Sequence, residues 1–106
     1  MDFMFLFRGG RQAPEDEMEA RMAKWGTWMD DLGDHFVGGG PLDEDGRILD
    51  SKHGEPEKGI LANGDAEVGG YIVIKADSID DAVDLARGCP IYEVDGIVEV
   101  REIVRM

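Results

Sequence analysis

His35 and His53 are the side chains of this chain whose ordinary pKa lies close to neutrality, so any proton transfer at physiological pH points first to them. A histidine acting as acid or base needs a carboxylate placed within hydrogen-bond reach, and Asp34, Asp43 and Asp50 lie near them in the chain. His53 falls in Asp50-Ser51-Lys52-His53-Gly54, a loop, and loops carry sites; His35 opens a short strand. These two are the candidate catalytic residues. Arg8, Tyr71 and Trp28 are the candidates for holding a ligand. Arg8 ends an apolar strand, where its fork would grip a carboxylate, and Tyr71 follows Gly69-Gly70 and offers a hydroxyl to a pocket. Trp28, with Trp25, offers an aromatic wall. Each has a plain alternative: an ion pair for Arg8, a core ring with its hydroxyl at the rim for Tyr71, a wider core face or a partner contact for Trp28.

Other chemistry finds little support. Cys89 has no adjacent histidine or basic cluster to activate it and reads as a packed thiol. Asp43-Glu44-Asp45-Gly46 lacks the spaced acids and closing glutamate of a calcium loop, and no helix follows Gly38-Gly39-Gly40 to make a phosphate loop. No metal and no cofactor are expected.

The elements that must position these residues follow from periodicity. Phe3, Phe5 and Phe7 alternate with Met4, Leu6 and Arg8, so both parities are apolar until Arg8, as in a strand buried on two faces. Pro14 and the acids Glu15, Asp16 and Glu17 open a helix whose stripe is Met18, Met22, Trp25, Met29 and Leu32, with Gly33 as its stop. His35, Phe36 and Val37 form a short strand running into the glycines. Residues 47–50 read as a second short strand, closing a hairpin around the acidic turn, and residues 51–67 read as loop with a brief strand at Ile60-Leu61. Residues 71–76 are a β-branched strand. Ser78 caps a second helix with Asp81 three residues on, and Gly88 and Pro90 end it. In residues 97–104 the valines 98, 100 and 104 share one face, while Ile97, Glu99, Arg101 and Ile103 share the other. Two β-α-β units of this kind close into an antiparallel sheet with both helices on one face, a ferredoxin-like α+β domain spanning residues 1–106.

At 106 residues the chain is one domain's worth, and 24 acidic against 11 basic residues leave a net charge of −13. Such a charge repels nucleic acid and anionic lipid, so neither is an expected partner. No stretch reaches the length of a membrane span. The apolar run at the start is too short for a secretion signal and lacks a basic leader, which makes the cytoplasm the expected location. The helices cover one sheet face, yet Phe3, Phe5 and Phe7 or Met4 and Leu6, Tyr71 and Val73 or Ile72 and Ile74, and the valines of the last strand cannot all lie beneath them, and spacing leaves open which parity is the covered one. The uncovered apolar face is an association surface, and a second copy related by a two-fold axis would bury it. A homodimer is therefore expected; the alternative is a monomer with residues 51–67 folded over the sheet.

Lys24-Trp25-Gly26-Thr27-Trp28-Met29, Gly38-Gly39-Gly40-Pro41-Leu42, the segment from Gly69 to Ser78, that from Ala82 to Pro90, and Val98-Glu99-Val100-Arg101 together resemble the YCII-related proteins over nearly the whole chain. The resemblance is to the branch that carries an Asp-Gly-Pro-Phe signature. It implies a dimeric α/β barrel of ferredoxin-like protomers, and a small organic molecule as ligand, or an accessory role. As an alternative it implies an enzyme of lyase or dehydrochlorinase kind on an aromatic or acidic substrate. The signature falls on Lys58-Gly59-Ile60-Leu61-Ala62-Asn63, where Gly59 and Ala62 match. The histidine of the founding branch's first helix has no counterpart near Met22 and Ala23.

Overall fold

The computed structural model describes residues 1–11, 14–61 and 67–105. Six strands and two helices follow in the order β1 (Asp2–Gly9), α1 (Met18–Leu32), β2 (Phe36–Pro41), β3 (Arg47–Ile48), β4 (Glu57–Lys58), β5 (Val68–Lys75), α2 (Ile79–Ala86) and β6 (Gly96–Glu102). Four of the strands form an antiparallel sheet in the order β2-β5-β1-β6, the ferredoxin-like arrangement. The alternation of β1 splits its residues cleanly. Phe3, Phe5 and Phe7 are buried, with Ile72 and Ile74 from β5, while Met4, Leu6 and Arg8 stay half-exposed.

The helices cover the phenylalanine side. Trp28 stacks on Phe5 with centroids 6.3 Å apart and meets Phe7 and Trp25 edge-on at 6.0 and 5.8 Å. Its indole N–H donates to the Leu85 carbonyl oxygen at 3.1 Å, which ties α1 to α2. Polar atoms survive inside a core only when bonded, and this bond lets the largest side chain of the chain be 94% buried, at 6% exposure. The core face of α1 is thus Trp25, Trp28, Met29 and Leu32. The expected stripe is displaced: Met18 and Met22 are 42% and 69% exposed. The helix also begins later than Pro14, after a 3-10 turn at Glu15–Glu17. In α2 the Ser78 hydroxyl accepts the Asp81 N–H at 3.1 Å, the expected cap, and Ala82 and Ala86 pack the helix onto the sheet.

Two expectations are corrected. Residues 47–48 do not return along β2; they pair with Glu57–Lys58 in a separate two-stranded ladder. The brief strand lies at Glu57–Lys58, not at Ile60-Leu61. β2 itself, glycines included, belongs to the main sheet along β5. Its extra residue Val37 makes a bulge, and Gly39, at φ +131°, lies so close to β5 that a Cβ there would run into the Tyr71 carbonyl oxygen. Of the segment aligned with the signature, Ala62 and Asn63 lie outside the described residues, as does most of the loop that follows β4.

The molecule is a slab of 44 × 43 × 19 Å. One helix layer lies about 10 Å from a sheet, so 19 Å is the thickness of two layers and no third layer of described residues covers the sheet. No helix among the described residues is long and apolar enough to cross a membrane.

Candidate functional site

Antiparallel register places directly opposite residues on the same face, so the uncovered face can be written out row by row. Gly40, Tyr71, Leu6 and Glu99 lie in line across the sheet. Gly38, Val73, Met4 and Arg101 form the next line toward one end, and Val68, Arg8 and Ile97 the line toward the other. The middle is apolar. Charge sits along β6 and at Arg8, where the Arg8 Nε–H donates to Glu99 Oε1 at 2.7 Å with both side chains partly shielded from water. Among the described residues of these three lines the charged ones are Glu99, Arg8 and Arg101.

Glycine makes the floor of the patch. A Cβ at Gly38 or Gly40 would meet nothing within 4 Å, so each leaves open space above β2 beside Val73 and Tyr71. Glycine in a strand interior weakens the sheet and commonly marks close approach by a ligand or another backbone. The Tyr71 ring borders this space, half-buried, and among the described residues its hydroxyl has no hydrogen-bond partner.

The expected site residues are therefore dispersed. Arg8 and Tyr71 come together on the open face, in adjoining lines. Trp28 lies on the opposite side of the sheet, in the core, and only its edge reaches a shallow groove of about 440 Å³ bounded also by Lys24, Thr27, Cys89 and Glu93. His35 is exposed at the far end of the slab; its Nδ1–H donates to the Lys75 carbonyl oxygen at 2.7 Å. It borders a second groove of about 490 Å³ with Asp77, Asp81 and Asp84. His53 is exposed in the loop between β3 and β4, and among the described residues it makes no hydrogen bond or ion pair. Neither histidine is bonded to a carboxylate among the described residues. The acidic turn is a local structure: Asp43 Oδ1 accepts the Asp45 N–H at 3.1 Å and Arg47 pairs with Asp45 at 2.7 Å.

Leu6, Glu99, Arg101, Gly38 and Gly40 join the patch although they were not candidates. The signal for Glu99 and Arg101 was their shared parity with Ile97 in the last strand; for the glycines it was three in a row, which argues for close backbone approach or an irregular edge.

Electrostatics elsewhere are those of packing. Burial pushes the Cys89 thiol up to about 12, against a smaller opposing effect of the Ile91 backbone N–H. Burial also raises Tyr92, with a further push from Cys89 and a partial offset from Arg87; its hydroxyl donates to the Ala86 carbonyl oxygen at 2.9 Å. Glu93 titrates below the ordinary glutamate value because Lys24 Nζ donates to it at 2.7 Å.

No curated protein matches the sequence. Among solved structures, the 5-chloro-2-hydroxyhydroquinone dehydrochlorinase of Burkholderia phenoliruptrix AC1100, in complex with 2,5-dihydroxybenzoquinone, superimposes with a TM-score of 0.58 at 16% identity, covering 100% of this chain and 96% of that one. The likeness is one of fold. The profile of the YCII-related domain matches residues 1–106. With a ferredoxin-like sheet carrying both helices on one side, the chain belongs to the YCII-related domain family.

Proposed function

We propose that this protein is a homodimer that binds a small aromatic or acidic organic molecule on the open face of its sheet, as a binding or accessory module. The observation that carries the reading is the glycine-floored space beside Tyr71, bordered by Leu6 and lying next to Arg8. Apolar side chains supply the contact surface and a small number of polar groups fix orientation, the usual make-up of a small-molecule site. The hydroxyl of Tyr71 serves as the donor. Arg101, on the same face in line with Val73 and Met4, suits an anion such as a carboxylate or an enolate. A second copy closing over the face would exclude water and strengthen both effects.

The alternative is an enzyme with acid/base chemistry of the dehydrochlorinase kind, favoured by the fold shared with that enzyme. It ranks second because, among the described residues, neither His35 nor His53 is bonded to a carboxylate.

Titration of isotope-labelled protein with 2,5-dihydroxybenzoquinone and with benzoate tests the reading. Amide shifts at Gly38, Gly40 and Tyr71, weakened at least several-fold by Tyr71→Phe, are expected. Shifts confined to the Trp28–Cys89 groove or to the His35 groove, or no shifts at millimolar probe, would overturn it. Release of chloride from a chlorinated hydroquinone, lost in His35→Ala or His53→Ala, would instead support the enzyme.

A further inference from the structure

β6 ends the main sheet on one side, and among the described residues no strand pairs along its outer edge. An open edge is a template for another strand, and proteins usually blunt it with a bulge, a proline or charge. The opposite edge, β2, has the bulge at Val37 and ends in Pro41. β6 has neither. Its register with β1 runs unbroken from Gly96 to Glu102, and what guards it is charge, at Glu99, Arg101 and Glu102.

Hydrogen-bond parity says which backbone groups of β6 are free. The Ile103 N–H donates to the Asp2 carbonyl oxygen at 2.9 Å, in step with the β1–β6 register. Bonded pairs alternate along an antiparallel ladder, so residues 97, 99, 101 and 103 turn their backbone groups to β1, and residues 98, 100 and 102 turn theirs outward. A second β6 lying antiparallel must then set even residues against even ones, which puts a two-fold axis at a residue. Centred on Glu99 or Arg101, the pairing opposes like charges. Centred on Val98, it drives the second strand into the turn at Asp95, whose φ of +65° is not extended. Centred on Val100, the charges agree: Glu99 meets Arg101 of the second copy, twice over. Ile97 meets Ile103 on the same face, and these are 54% and 40% exposed. Glu102 faces Val98, and Val100 faces its own counterpart beside the core on which it packs. Arg101 makes no hydrogen bond or ion pair among the described residues, and Glu99 gives Arg8 one oxygen, Oε1.

We infer that β6 is a self-pairing edge, by which two copies join antiparallel about a two-fold axis at Val100 and extend the sheet from four strands to eight. The contact is separate from the open face and does not rest on face-to-face pairing. One strand's edge is a small interface. Opposing it, α2 and the turn Pro90–Val94, which pack on β6, carry Asp80, Asp81, Asp84 and Glu93 against Arg87, and two chains of net charge −13 repel. The edge contact is therefore weak. It fills toward millimolar concentration, at salt that screens the long-range repulsion and leaves the close cross-strand pairs.

Hydrogen exchange from micromolar to millimolar protein at physiological salt tests this. Protection at the amides of residues 98, 100 and 102 should rise with concentration and fall on dilution, while residues 97, 99 and 101, already bonded to β1, stay protected throughout. Disulfide trapping reads the register. In Val100→Cys the two thiols start from α-carbons about 5.5 Å apart, within disulfide reach. In Val98→Cys they are four residues out of line, about 13 Å apart. The first variant should cross-link at least about tenfold faster, with Cys89 buried and out of the way. Arg101→Glu sets acid against Glu99 on both sides of the axis and should weaken the association at least about tenfold. Amides 98, 100 and 102 indifferent to concentration overturn the edge contact, as does equal cross-linking of the two cysteine variants. An Arg101→Glu chain that associates like wild type overturns the register. Leu6→Asp, which opposes face-to-face pairing by placing a carboxylate on the open face, should keep the concentration dependence at the three amides. Its loss there would assign the signal to the face-to-face dimer and overturn the separate contact.

Discussion

Leu6 is where the dimer can be broken without disturbing the protomer. It lies on the open face, half-exposed, with Tyr71 on one side and Glu99 on the other, while the core packs against the opposite side of β1. In Leu6→Asp the new carboxylate stays hydrated in a monomer, so the fold is kept. In a closed dimer it is taken out of water beside Glu99, a like charge. Its least costly escape is to take up a proton. From an ordinary aspartate pKa near 3.9 that costs about 4 kcal/mol at pH 7, and staying charged in a dry interface costs several kcal/mol as well. The two-fold repeats the penalty in the second protomer, giving up to about 8 kcal/mol for the pair. Allowing for water that enters with the carboxylates, about 4 kcal/mol in total is a conservative figure, which is a roughly 1,000-fold weaker dimer.

Analytical ultracentrifugation across a dilution series reads this directly: wild type at twice 11.7 kDa, the variant at 11.7 kDa. Circular dichroism and thermal unfolding of the variant separate dissociation from unfolding. Two chains of net charge −13 also repel, and salt screens that repulsion, so the wild-type dimer should tighten from low to moderate salt. A Leu6→Asp chain that stays folded and dimerises with wild-type affinity would refute the reasoning, since among the described residues the other face of the sheet is covered by the helices.

Other outcomes follow from the core and from titrating groups. Trp28→Phe removes the bond to the Leu85 carbonyl and part of a stacked ring; the loss is about 2 kcal/mol, a fall in Tm of roughly 8–16 °C, with probe binding at the open face unchanged. Binding lost in step with a small change in Tm would put Trp28 in the site after all. Cys89, with its thiol at about 12, is almost wholly protonated at pH 8; its reaction with a disulfide reagent should be far slower than that of a free thiol and should accelerate only with unfolding. Lys24 lowers the pKa of Glu93 in the folded state. The stabilisation from that pair is therefore present above the ordinary glutamate value and lost as pH falls through the lowered one. NMR titration should show Glu93 returning toward its ordinary value in Lys24→Met, and an unchanged midpoint would refute the assignment.

Most of the architecture could be read from alternation and caps. The Phe3-Phe5-Phe7 parity, the Ser78–Asp81 cap and Val98 and Val100 of β6 each mark their element because one local cause decides them, whereas Val104 lies past the end of β6 and is exposed. The α1 face could not be read in this way. A stripe through Met18 and Met22 is as apolar as one through Trp25 and Trp28, and only tertiary packing decides which of them is covered. The hairpin was misjudged for a related reason. Glycines 38–40 discourage a strand by propensity, yet β5 supplies β2 with a hydrogen-bonding partner regardless of side chains, which frees residues 47–48 to pair elsewhere.

The site was harder still, because its makings are not side chains that stand out in a sequence. Histidine draws attention by its pKa, but His35 spends one nitrogen on a backbone carbonyl and His53 lies on the hairpin. Arg8 and Tyr71 were visible singly. Their nearness depends on the pairing of β1 with β5, which sets Leu6 opposite Tyr71 and leaves Arg8 one line away, and a register between strands so distant in the chain cannot be counted from spacing. The space they border is made by two missing side chains, Gly38 and Gly40, in line with Val73 and Tyr71. Filling that space is consequently the sharpest probe of what it is for. Gly40→Val adds a β-branched side chain where nothing lies within 4 Å, so the protomer should be no less stable. If the space holds a ligand, probe affinity falls while the dimer persists; if it receives the other copy's surface, the dimer weakens first. Should neither change, the glycines serve only the path of the strand, and the open face would have to bind through its β6 edge alone.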